Sequence, residues 1–67
     1  MIPAERIEAW KRAGYTHFIE YEVYLPIIKR WTNSSYPTTS DALQLHLASL
    51  RKRQKFGEAR NIRHSQL

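Results

Sequence analysis

Four cations fall within five residues in Arg51-Lys52-Arg53-Gln54-Lys55, and Arg60 and Arg63 follow close behind. Guanidinium and ammonium groups at that density neutralise phosphates, and release of counterions supplies most of the affinity of such contacts. Arg51, Lys52, Arg53, Lys55, Arg60 and Arg63 are therefore the candidate nucleic-acid-binding residues, for DNA or RNA. The charge is unevenly placed. Residues Met1 to Pro37 hold five Lys/Arg against four Glu, whereas the chain from Thr38 onward holds six against Asp41 and Glu58, within a net charge of +5. Such asymmetry is a statement about partners rather than fold.

A second group has the chemistry of protein interfaces. Tyr21, Tyr24, Trp31 and Tyr36 crowd the middle of a chain with eight aromatic residues, and Tyr and Trp are common interface anchors. They are the candidate partner-binding residues. Catalysis is poorly equipped. There is no Cys, Asp41 reads as a helix cap, and His17, His46 and His64 lie in three different segments. His17 and Glu20 could share a metal, but two ligands are too few for a site. With Gly14 and Gly57 as the only glycines, no glycine-rich phosphate loop exists. The expectation is a non-enzymatic protein with no cofactor, no metal and no small-molecule substrate.

At 67 residues the chain is one small domain, and a domain of this size buries only about 60% of its unfolded surface. Without Cys, neither disulfides nor thiolate-held zinc can supplement the core, which leaves a homodimer or an obligate complex as an open alternative. The absence of paired Cys, of an apolar leader and of any run near the roughly 20 apolar residues of a membrane span points to a cytoplasmic protein.

The elements that must position these groups read as helices. Pro3 to Ala13 has a first-turn proline, Ile7 and Trp10 on one face, and Gly14 as its stop. From Thr38 a hydroxyl cap with Asp41 three residues on, or Thr39 or Ser40 as the cap instead, opens a helix whose stripe is Leu43, Leu47 and Leu50, widened by Leu45 and Ala48, and which runs to Lys55. Its cationic last turn complements the helix dipole. Asn33 to Ser40 reads as a loop, because its Ser, Thr and Asn bond their own backbone. After Phe56-Gly57 the chain from Glu58 to Leu67 is nearly devoid of apolar residues and reads as a flexible basic tail.

The stretch Tyr15 to Trp31 fits two periods. Ile19-Glu20-Tyr21-Glu22-Val23 alternates as a strand does, yet Tyr21, Tyr24, Leu25, Ile28 and Trp31 also fall on a helical stripe. A lone strand would have no partner within the chain, and unpaired backbone groups are costly. The expected fold is accordingly all-α: a small three-helix domain over residues 1–57, kinked at Pro26, with a partly disordered tail at 58–67. A short strand at residues 17–24 that pairs across a dimer is the minor alternative.

The order Ala13-Gly14, Phe18, Glu20, Pro26-Ile27-Ile28 and Pro37 resembles that of the small helical θ subunits of bacterial DNA polymerase III, over part of the chain and without the charged pattern that family carries after its second proline. That resemblance implies a three-helix protein whose middle contacts another protein, and it does not make the chain a member. A helix-turn-helix of Pro26 to Trp31 and Asp41 to Lys55 has too long a connection, and only Ser40, Gln44 and Arg51 could reach bases. The function expected is nucleic-acid binding or regulation by a basic helix end. The alternative is an accessory or inhibitory module, of the kind phages and plasmids encode, that docks on an acidic protein surface through its aromatic middle.

Overall fold

The alternation from Ile19 to Val23 is a strand, and it is the centre of the molecule. The computed structural model describes residues 2–67, with the order α1 (Ala4–Arg12), β1 (His17–Leu25), β2 (Arg30–Thr38), α2 (Ser40–Lys55) and β3 (Ala59–Gln66). The three strands form one antiparallel sheet in the order β2-β1-β3. The expected all-α fold is thus overturned: the protein is two helices and a three-stranded antiparallel sheet. Both partners that β1 needed lie within the chain, so no pairing across a dimer is required. One is Arg30–Thr38, in register from His17 opposite Thr38 to Leu25 opposite Arg30. The other is the expected tail, Ala59–Gln66, which pairs from His17 opposite Gln66 to Val23 opposite Ala59.

Pro26 opens a four-residue turn, Pro26 to Lys29, instead of a kinked helix. Lys29 closes it with φ +53, the left-handed conformation that lets a short loop rejoin its strand. Pro37 lies inside β2, an edge strand, one of the few settings in which a sheet tolerates a residue lacking an N–H.

Side chains alternate across β1. Ile19 faces α2 and forms the core with Leu43, Leu47 and Leu50, against which Tyr21, Tyr36 and Ile62 pack. The leucine stripe of α2 is therefore as its spacing predicts, except that Leu45 and Ala48 point away and are exposed. Thr39 caps the helix, its hydroxyl accepting from the Ala42 N–H at 3.4 Å. Phe18, Glu20, Glu22 and Tyr24 occupy the opposite face. There α1 sets Trp10 against Phe18 at 6.0 Å between ring centroids, and no residue of α1 is buried. Both helices end in the same way. Gly14 and Gly57 take φ +95 and +75, and the next residues, Tyr15 and Glu58, donate back to Trp10 O and Arg53 O. This is the Schellman closure that favours glycine.

A bulge in β3 interrupts its pairing with β1 between Glu20 and Glu22. Asn61 occupies it at φ +54 and donates from Nδ2 to Glu22 Oε1 at 2.7 Å. Asn tolerates this backbone better than other residues that carry a Cβ. Asn61→Ala is expected to lower stability by about 1 kcal/mol through the backbone alone, as read from urea unfolding. Asn61→Gly keeps the backbone and drops the amide, so its loss isolates the hydrogen bond.

Candidate nucleic-acid interface

The register fixes where the cations go. α2 starts beside the His17 end of the sheet and runs toward the opposite end, where Gly57 turns the chain and the Tyr24 N–H donates to Glu58 O at 3.0 Å. That end also holds the β1–β2 turn and the start of β3. Lys29, Arg30, Arg51, Lys52, Arg53, Lys55 and Arg60, seven of the eleven Lys/Arg, therefore gather at one end of the molecule.

Successive helical residues are turned by about 100°, so Arg51, Lys52 and Lys55 share a side of α2 while Arg53 points elsewhere. The first three line a shallow cleft with Ala48 and Phe56, and Phe56 is 72% exposed. Arg53 lies toward Tyr36, whose phenol it influences. Among the described residues the ion pairs are Arg60 with Glu22 and Arg63 with Glu20, so all four cations of α2 are exposed and without an acid partner. Cations beside an exposed aromatic ring are the ingredients of a surface that holds a phosphate and offers a face to a base.

Arg60 and Arg63 are placed differently from the other four. They stand across the sheet from α2, on the face of Glu20 and Glu22. Arg60 Nε donates to Glu22 Oε2 at 2.7 Å and its guanidinium lies 4.1 Å from the centroid of the Trp31 ring. Arg63 approaches Glu20 at 3.7 Å. The hydrogen bonds from Asn61 and Arg60 hold the Glu22 carboxyl below its usual value against the opposing effect of desolvation, with lesser help from the charges of Arg60 and Arg63.

A lowered folded-state pKa contributes stability that is present above the unfolded value, about 4.3 for Glu, and is lost as pH falls through the lower folded value. Glu22→Gln is therefore expected to shrink the loss of stability between neutral pH and pH ~3, measured as the difference in urea midpoints.

The aromatic candidates do not form one patch. Tyr21 and Tyr36 meet edge to face at 6.0 Å on the α2 side, and Tyr36 also meets His46 at 5.0 Å. Burial, with a smaller effect of Tyr21, pushes the Tyr36 hydroxyl up in pKa, and Arg53 partly offsets this. Tyr24 and Trp31 meet at 5.4 Å on the other face. All four are half-buried.

No family model, curated protein or solved structure matches this chain. Lys29, Arg30 and Phe56 are the members that the sequence did not single out. Phe56 carried a signal: it stands between the last cation and the capping glycine, a position that ends a helix on the surface. Lys29 and Arg30 carried one only if Pro26 was read as the start of a turn. Among the described residues no helix is long and apolar enough to cross a membrane.

Proposed function

We propose that this chain is a small non-enzymatic protein that binds nucleic acid by gripping phosphates with the cationic end of α2. The observation that carries the reading is the set Arg51, Lys52, Arg53 and Lys55, exposed and without acid partners, at the end of the molecule that also presents Lys29 and Arg30. Such a surface holds the backbone and reads little sequence, since phosphate contacts position a protein and base contacts specify. Docking on an acidic protein through Tyr21, Tyr24, Trp31 and Tyr36 has less support, because those rings are taken up in two internal pairs on opposite faces.

The test is a titration with single-stranded and duplex DNA and with RNA at about 50 and 200 mM salt. Affinity for the duplex is expected to fall with a slope near −0.9 in log K against log salt for each phosphate neutralised. Binding that is absent, or that ignores salt, would rule the reading out.

A further inference from the structure

Ile27, at the tip of the β1–β2 hairpin, is 96% exposed, more than any other large apolar side chain among the described residues, and its neighbour Ile28 is 53% exposed. The two strands run on to Leu25 and Arg30, whereas β3 begins opposite Val23. The ribbon therefore overhangs the third strand and carries its tip clear of the sheet. Lys29 and Arg30 follow immediately, both exposed. Single apolar side chains on a surface need no explanation, but an adjoining pair on a projecting tip, flanked by cations, does.

We propose that this tip is a wedge for double-helical DNA: Ile27 and Ile28 press on a base step from the minor groove and bend the duplex, while Lys29 and Arg30 hold the neighbouring phosphates. The inference rests on the nucleic-acid reading above and names the form of nucleic acid and the consequence of binding. Apolar side chains, isoleucine among them, unstack base steps in this way, and the bend lets the DNA wrap more of the protein. Here the surface to be wrapped is the end of α2, which lies at the same end of the molecule as the tip.

Size argues against a bilayer as the occupant. The two side chains carry about eight carbons, fewer than the single myristoyl chain that by itself gives only marginal membrane binding. Charge argues against an apolar protein pocket. Lys29 and Arg30 adjoin the tip and the α2 cations lie at the same end of the molecule, and duplex DNA offers a matching surround of one negative charge per about 1.7 Å of axis. Selectivity would come from deformability, so flexible pyrimidine–purine steps are the expected sites.

The experiment uses the whole chain with a duplex of about 30 base pairs, labelled at its ends with an energy-transfer pair, and compares wild type with Ile27→Ser/Ile28→Ser. Both positions lie outside the core, and a circular dichroism melt confirms that the variant folds. Wild type is expected to raise energy transfer at saturation. The variant is expected to lose most of that rise while its affinity stays within about threefold, because phosphates dominate binding. Equal bending by the variant, or wild-type binding without bending, overturns the wedge and leaves the phosphate grip standing. No binding to any nucleic acid overturns both. Capture by phosphatidylglycerol vesicles that the variant loses, with bending unchanged, overturns the wedge in favour of a membrane surface.

Discussion

Ile19→Ala is expected to lower the melting temperature by at least about 10 °C, and at the upper end of its cost to unfold the chain. Among the described residues Ile19 is the one large side chain with no exposure at all, and it closes the cluster of Leu43, Leu47 and Leu50 from the strand that pairs on both sides. Truncating a buried isoleucine to alanine costs about 2–5 kcal/mol, because the cavity adds to the lost transfer energy. A domain of this size holds only about 3–10 kcal/mol in total. The core is small and α1 adds no buried residue to it, so little else can absorb the loss. Ile19→Val keeps the branched Cβ and is expected to cost about 0.5–1.5 kcal/mol. A circular dichroism melt of both variants gives the comparison. A fall below about 4 °C for the alanine variant would show that stability resides outside this cluster.

The same strand shows why half of the fold was legible and half was not. α2 could be read because its leucines recur at helical spacing between a hydroxyl-rich start and the interruption at Phe56-Gly57, with Thr39 rather than Thr38 as the capping hydroxyl. α1 could be read from Pro3 and Gly14. The sheet could not, because Ile19 to Leu25 satisfies periods of two and of 3.6 alike, and the choice turned on whether partner strands existed. They did exist, in segments whose composition hides them. Asn33-Ser34-Ser35 in β2 has low strand propensity and stays extended because its backbone pairs with Tyr21 and its neighbours. β3 buries only Ala59, with Ile62 half-covered, so its apolar content gives no alternation to detect. A clue was present in charge. Glu20 and Glu22 project from one face of β1, and Arg63 and Arg60 answer them across the sheet. The bulge at Asn61 puts those arginines three residues apart instead of two, which breaks the pattern that would have marked a paired strand.

That cross-strand pairing also divides the basic residues in a way that linear charge density does not show. Arg60 and Arg63 are neighbours of the α2 cations in sequence, yet they lie across the sheet and face carboxylates. The helix end is the part of the basic segment with free charge. The aromatic residues separate for the same reason: strand alternation sends Tyr21 and Tyr36 to one face and Tyr24 and Trp31 to the other, where helical spacing would have kept Tyr21, Tyr24 and Trp31 together.

The combined change Arg51→Gln, Lys52→Gln and Lys55→Gln is expected to weaken duplex binding about a hundredfold or more near physiological salt, and to make the salt slope shallower by about two to three. The three share one side of α2 beside Phe56, so a single backbone can meet them together, and each phosphate lost removes close to one unit of slope. Arg53→Gln, on another side of the helix, is expected to change the slope by less than one such unit. Arg60→Gln and Arg63→Gln are expected to do less than the triple change, because Glu22 and Glu20 already hold those charges.

Glutamine keeps the stem and the helix propensity, but it gives up part of the favourable interaction with the helix dipole, about 0.3–1 kcal/mol for each last-turn cation. A melt of the triple variant therefore accompanies the binding isotherms, so that lost affinity is read on folded protein. A slope that stays at its wild-type value in the triple variant would place the phosphate contacts elsewhere. A slope that falls mainly in Arg60→Gln would move the interface to the Trp31 face, where binding would have to compete with Glu22 for the guanidinium.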